Sequence, residues 1–261
     1  MLQVTSLRIA PVKALAAVSR DRVMLERAGV PEDRRLFLLH ADGTVATMRQ
    51  FPELTRVVPE LDLDAGTLTV TLPDDSTARS DLSAAEGSVQ TSLFGKDRAG
   101  RLLPGPVADA LSDYVRRPLR LVLADTTGVG WDEGPVSLVG RASADAMGAP
   151  TEHGRPTRGR YRMLVELDGT AAFEEDDWVG DRLRLGQALV RVTHALERCV
   201  VINYSPTTGA RDWSGLRALA DRRGPDRLTL GVIAAVEQPG EVRVGDSVEP
   251  LDSRVSVGSQ S

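Results

Sequence analysis

The sequence predicts a β-rich α+β fold: an N-terminal β-barrel-like domain followed by a second β-barrel domain with a few helices. Three observations point there. Apolar residues alternate over short runs, as at Leu2 and Val4, then Leu7 and Ile9 on either side of Ser6. Turn-forming pairs, Asp42-Gly43, Ala65-Gly66 and Pro239-Gly240, fall between such runs. Helical spacing is confined to a few windows. Many short strands joined by close turns are the pattern of barrels and related all-β folds.

Taken in order, residues 35–39 and 44–48 flank Asp42-Gly43 as a first hairpin, with Arg34 and Arg35 facing opposite ways on its leading strand. Residues 61–63 and 68–72 flank Ala65-Gly66 as a second. After Pro104 and Pro106, Val107, Leu111 and Tyr114/Val115 stand at helical spacing. Residues 126–135, TTGVGWDEGP, are turn formers and read as a loop or lid. Residues 136–139 form a short apolar run, after which Ser143 is placed to cap a helix, with Asp145 in its first turn. Residues 160–167, 188–194 and 199–204 read as strands. A helix follows, with Leu216, Leu219 and Ala220 as its stripe and Asp212 or Ser214 as its cap. Residues 228–236 and 241–249 bracket Pro239-Gly240 as a closing hairpin. The expected division is 1–100, 101–251 and a mobile tail, 252–261, too poor in apolar residues to anchor itself.

Composition narrows the function. With 261 residues, 41% hydrophobic and 26% charged, the chain has core material for one large or two smaller domains and is no disordered polymer. A net charge of −5 argues against nucleic acid as a partner, although 32 Lys and Arg leave room for a local cationic pocket. One cysteine excludes an internal disulfide framework and suits a reducing compartment. The stretch MLQVTSLRIAPVKALAAV is interrupted by Arg8, Pro11 and Lys13, so it lacks a signal-peptide core and a membrane span. A cytoplasmic location and no membrane partner are the expectation.

Several chemistries lack their motif. His40, His153 and His194 have no Cys or carboxylate partner at zinc spacing. There is no Walker loop, no Gly-x-Gly-x-x-Gly after a strand, and no Gly-x-Ser-x-Gly elbow. The run Glu174-Glu175-Asp176-Asp177 before Trp178 reads as a solvated turn. What remains is the stretch LERCVVINYSPTTGARD, residues 196–212. Its lone thiol, Cys199, follows Arg198 and leads an apolar run closed by a Pro-Gly turn. Read by residue type, Cys199 fits core packing first, since free cysteine behaves as a small buried hydrophobe, and a ligand or nucleophile second. Gly209 suits a turn with positive φ.

These fragments together resemble one family. Arg198-Cys199 followed by Pro206-x-Thr208-Gly209 is similar to the signature of the MOSC domain, named for the carboxy-terminal part of molybdenum cofactor sulfurase. Arg160-Tyr161-Arg162, then Phe173 with the acidic run and Trp178, resemble that domain's arginine strand and acidic-tryptophan turn. Pro239-Gly240 with Val244-Gly245-Asp246 resembles its closing hairpin. Pro11-Val12-Lys13 and Gly29-x-x-x-Asp33-Arg34 resemble the β-barrel domain that precedes MOSC in the mitochondrial amidoxime-reducing component subfamily. The likeness spans roughly residues 1–250.

The resemblance implies a molybdenum-pyranopterin cofactor. Cys199 would be the metal ligand and the catalytic residue, its soft thiolate beside the two dithiolene sulfurs. Lys13, Arg34, Ser143, Arg162 and Arg198 would bind the cofactor, the cations gripping its phosphate and pterin edge. The implied activity is an oxidoreductase that removes oxygen from N-oxygenated small molecules such as N-hydroxylated amidines. No ferredoxin or haem-attachment motif is present, so the electrons would come from a separate iron-sulfur, haem or flavin protein. Two other readings stand beside it: a carrier of molybdenum cofactor or of a persulfide on Cys199, and a domain that kept the fold without the cofactor. Ala14 stands where the family has Ser, and Leu164 where it has Asn, which bears on substrate preference.

Overall fold

In the computed structural model, which describes residues 1–93, 95–152 and 155–251, the chain is built mainly of antiparallel sheets. His153 and the expected tail at 252–261 lie outside the described residues.

The largest sheet has eight strands. From one edge they are Val248–Pro250, Arg182–Leu185, Ala188–Glu197, Thr229–Gln238, Val136–Gly140, Val165–Asp168, Gln3–Ile9 and Val18–Arg20. Only Val136–Gly140 against Val165–Asp168 runs parallel. Near one end the sheet curls back on itself. Val4 N donates to Asp246 O at 2.9 Å and Gly245 N to Val4 O at 2.8 Å, and a single bridge joins Gln3 to Ser247. The result is barrel-like, closed by isolated bonds rather than by a continuous ladder. The concave side buries Leu7, Ile9, Leu138, Val190, Val232 and Trp178 among others. Removing such side chains from water is the main stabilising contribution to the fold. Here the first strand of the chain completes the sheet of the second half.

Smaller sheets form the amino-terminal body. Leu36–His40, Leu119–Ala124, Lys96–Leu102 and Glu86–Leu93 make one, and Val58–Asp62, Thr67–Thr71 and Thr77–Asp81 make another. Helix α1 (Pro106–Val115) packs Val107 and Leu111 onto them, and the left-handed Arg116 ends it. Helices α2 (Arg141–Ala146) and α3 (Gly215–Arg223) flank the larger sheet.

Several expectations change. Thr44 and Ala46 return hydrogen bonds across Asp42-Gly43, but only an isolated Leu39–Val45 bridge forms, not a second strand. Arg34 is left-handed, at φ 51°, and precedes the strand that starts at Leu36, so it does not alternate with Arg35 along that strand. Residues 158–161 form a 3₁₀ turn with Arg162 left-handed at its end, and the strand begins only at Val165. Residues 200–203 are likewise a 3₁₀ turn led by Cys199, not a strand. Val201 packs toward the amino-terminal core and Ile202 toward the core around α3, so an apolar run serves two cores with no ladder. Periodicity cannot separate these cases in a short apolar run. Gly240–Arg243 pairs with Arg22–Leu25 instead of closing a hairpin on Thr229–Gln238. Among the described residues no helix is long and apolar enough to cross a membrane.

Candidate functional site

The strands Ala188–Glu197 and Thr229–Gln238 are neighbours along most of their length, and three register shifts bend the pair. Between them runs an irregular connection that carries the functional residues. Arg198 leaves the strand end with its N–H bonded to Leu228 O at 2.8 Å, and Cys199 follows in extended conformation at the head of the 3₁₀ turn. The connection then folds back. Gly209 N donates to Ser205 O at 2.9 Å, and Gly209 has φ 71°. A Cβ there would lie 2.9 Å from Glu53 Cα, so glycine serves both the left-handed turn and the close approach to the amino-terminal body.

Cys199 opens onto a cavity of about 220 Å³ at the junction of the two halves. Of the sequence-predicted residues, Lys13, Arg34, Arg162, Arg198 and Cys199 all line it, as do Ala14 and Leu164. Met48, Val201 and Ile233 add apolar wall. The thiol is free and half-buried.

Ser143 is the exception. It is fully buried away from the cavity, within α2 rather than at its cap. Its hydroxyl donates to Glu175 Oε2 at 2.7 Å and accepts from Phe173 N at 2.7 Å. The acidic run is therefore not a solvated turn. Glu175 has no exposed surface and its carboxyl is raised by burial, while Asp176 pairs with Arg223 and with Arg227. These carboxylates bind the 174–178 turn to α2 and α3, and that need overrides the usual preference of acidic runs for water.

The cations of the cavity fall into two sets. At the amino-terminal end each has a carboxylate. Lys13, 8% exposed, donates to Asp132 Oδ1 at 2.5 Å and to Gly130 O at 3.2 Å. Arg34 pairs with Asp33, whose other oxygen accepts from Ala10 N at 2.7 Å. Burial opposes the Arg34 charge, but Asp33 and then Asp132 outweigh it and hold its pKa above the ordinary value. Burial lowers Lys13. Burial also pushes Asp132 up, but Lys13 and the nearby arginines prevail and hold it below the usual carboxylate range. The two partners shift in the same direction for different reasons: burial outweighs the carboxylate at Lys13, and the surrounding cations outweigh burial at Asp132.

At the other end no carboxylate among the described residues is in direct contact with the cations, although Asp33 and Asp132 act on Arg162 from a distance. The Arg162 guanidinium makes no hydrogen bond or ion pair to any described residue, and burial, with Arg34 nearby, pushes it down to about 10. Arg198 donates to Tyr161 O at 2.6 Å and to Met163 Sδ at 3.4 Å, while its buried Nε finds no acceptor. Burial takes it to about 10 as well. Two half-buried guanidinium groups without a paired carboxylate, beside a thiol, can attract an anion with a thiophilic centre. Among the described residues no three His, Cys, Asp or Glu side chains converge on a metal position.

Sequence reasoning missed Asp132, the counter-ion of Lys13. Its loop, 126–135, stood out by composition, but nothing in the sequence shows that it folds 119 residues back onto Lys13.

Comparison with known proteins follows this geometry. Residues 1–118 match the model of the MOSC N-terminal beta barrel domain and residues 125–249 that of the MOSC domain. The Xenopus laevis mitochondrial amidoxime-reducing component 1 is 26% identical over 94% of this chain and 81% of its own length. The molybdenum cofactor sulfurase of Oryza sativa subsp. japonica is 23% identical over 99% of this chain but only 35% of its own length. Among solved structures, the YUAD protein from Bacillus subtilis aligns over 95% of this chain and 94% of that one, at 15% identity and a TM-score of 0.45.

Proposed function

We infer the function from the cavity and from the family to which this chain belongs, the proteins that join a MOSC N-terminal beta barrel domain to a MOSC domain. Its role is molybdenum-cofactor-related, in keeping with the amidoxime-reducing and cofactor-sulfurase relatives. More specifically, we propose a molybdenum cofactor-dependent reductase of N-oxygenated small molecules that takes its electrons from a separate protein.

The observation that carries the proposal is the pair of uncompensated cations, Arg162 and Arg198, in the cavity that Cys199 enters. The residues fit the cofactor. Cys199 would hold the molybdenum, Arg162 and Arg198 would face its anionic parts, and Lys13 with Arg34 would meet its phosphate. When bound, the molybdenum centre supplies the two-electron reduction of the N–O bond.

The protein's own groups provide binding, orientation and charge. Leu164, Met48 and Ile233 line the cavity with hydrocarbon and keep water from part of its wall. Arg198 is held by Tyr161 O at 2.6 Å, with Met163 Sδ 3.4 Å from its other terminal nitrogen. Lys13 is held against Asp132 and Gly130 O in the 126–135 loop, so binding at that end is coupled to loop position.

The test is turnover. Protein carrying molybdenum, supplied with a chemical electron donor, should reduce an N-hydroxylated amidine to the amidine and water, consuming two electrons and two protons. Stoichiometric molybdenum without turnover of N-hydroxylated amidine, hydroxylamine or N-oxide substrates would contradict the reductase. A persulfide on Cys199 without molybdenum would identify a sulfur carrier.

A further inference from the structure

Arg160 is one of the largest fully buried side chains among the described residues, 1% exposed, and it does not line the cavity. Its Nε and Nη2 donate to Thr157 Oγ1 at 2.9 and 2.7 Å. Nη1 donates to Ile202 O at 3.1 Å, and the two terminal nitrogens grip Asp212 at 3.1 and 3.3 Å. The guanidinium lies 5.2 Å from the ring centre of Trp213. Burial of a cation is costly unless its donors are used, and these groups use them.

The position of Arg160 makes this more than a satisfied charge. It belongs to the 3₁₀ turn 158–161 that ends in Arg162, and Ile202 belongs to the 3₁₀ turn that Cys199 leads. Neither turn is part of a sheet. Each is closed by a weak internal bond, Arg162 N to Gly159 O at 3.1 Å and Ile202 N to Cys199 O at 3.3 Å. What ties one turn to the other is a reciprocal pair of guanidinium bonds. Arg160 reaches from the first turn to Ile202 O, and Arg198 reaches from beside Cys199 to Tyr161 O at 2.6 Å. Arg198 must remain free to meet a ligand on the cavity side. Arg160, on the interior side, has no such duty.

We propose that Arg160, anchored by Asp212, is a positioning residue that sets where Arg162 and Arg198 stand relative to the Cys199 thiol. The proposal rests on the cavity being the functional site. Lysine would keep the charge but not the planar fork that reaches Thr157, Ile202 and Asp212 together.

Because Cys199 is the chain's one cysteine, its field can be read by alkylation of the full-length protein at fixed pH. Iodoacetate is anionic and iodoacetamide neutral. The ratio of their rates cancels the thiolate fraction and reports the local positive potential. The wild-type ratio should exceed that of the urea-unfolded chain, and Arg162→Ala should lower it. Arg160→Lys and Asp212→Asn should each lower it by roughly threefold or more, as a charge a few ångström further away requires. A purely structural role would raise both rates alike and leave the ratio unmoved. That result in the folded variants would overturn the proposal, as would a wild-type ratio no higher than the unfolded one. If Arg160→Lys does not fold, Asp212→Asn decides, since the Asp212 side chain is 31% exposed and better suited to replacement. A ratio that responds in a chain that never loads molybdenum would uphold the positioning role and defeat the cofactor reading. A chain that loads molybdenum with a ratio insensitive to Arg160 would do the reverse.

Discussion

Two ends of one cavity hold cations in opposite ways. Lys13 and Arg34 come to the amino-terminal end with Asp132 and Asp33 already beside them. Arg162 and Arg198 stand at the carboxy-terminal end, by the thiol, with only carbonyl, sulfur or no partner. An arginine paired internally contributes to the fold. One enclosed without a counter-ion raises the free energy of the ligand-free protein and lowers that of a complex with an anion. The contrast therefore separates what holds the structure together from what is kept ready for a ligand.

The largest expected effect concerns the thiol between them. Cys199→Ala should remain folded, since losing a buried thiol costs on the order of 1 kcal/mol. It should nevertheless lose reductase activity and change the molybdenum absorption and EPR spectra. A variant with unchanged spectra and full activity would remove Cys199 from the ligand set.

The next effect divides the two cation sets. Arg34→Ala strands the buried Asp33 carboxylate and should destabilise the ligand-free protein by roughly 3–5 kcal/mol. Arg162→Met should leave urea stability within about 1 kcal/mol of the parent, or raise it, because no partner is orphaned. In cofactor binding, Arg162→Met and Arg198→Ala should each lose about 1.5–3 kcal/mol of charge-assisted bonding. Equal destabilisation of the ligand-free protein by Arg34→Ala and Arg162→Met would erase the contrast.

A smaller effect lies in pH. Arg162 and Arg198 have folded values of about 10, below the ordinary range of a guanidinium. The unfolded chain therefore binds more protons at alkaline pH, and these two groups make stability rise as pH climbs above about 10. Below 10 their unfavourable contribution is fully present. Denaturation of parent and Arg162→Met compared from pH 9 to 11.5 should show a more positive slope in the parent, and parallel curves would contradict the assigned burial.

The smallest effect concerns Leu164, 3% exposed in the cavity wall with its N–H bonded to Ser137 Oγ at 2.9 Å. Hydrocarbon there can bury part of a bulky substrate at about 25 cal/mol per Å². Leu164→Asn should move kcat/KM toward small polar N-hydroxylated substrates, and an unmoved ratio between a small and a large substrate would place Leu164 outside the substrate's reach.

Much of the framework is legible in the sequence because it repeats. Alternation and turn pairs locate the strands around Ala65-Gly66, and helical spacing locates α1. Lys13, Arg34, Arg162, Arg198 and Cys199 were legible as a set through motif resemblance, and the fold brings them to one cavity. What was not legible is non-periodic. The apolar run after Cys199 looks like a strand, although Val201 and Ile202 feed different cores, and the 158–161 turn before Arg162 sends only Tyr161 to a core. Ser143 and Glu175 read as a cap and a solvated acid, yet they bond to each other across 32 residues in the interior. The pairing of Lys13 with Asp132 joins residues 119 positions apart, and no local signal encodes it.

The most direct measurement is molybdenum and pterin content per chain, taken on protein purified from a host that makes the cofactor. Molybdenum by elemental analysis and pterin by the fluorescence of its oxidised product should each approach one per wild-type chain. Both should fall together in a folded Arg162→Met/Arg198→Met double variant. Wild-type protein with neither component, or a double variant as fully loaded as wild type, would contradict the assignment of the uncompensated cations to cofactor binding.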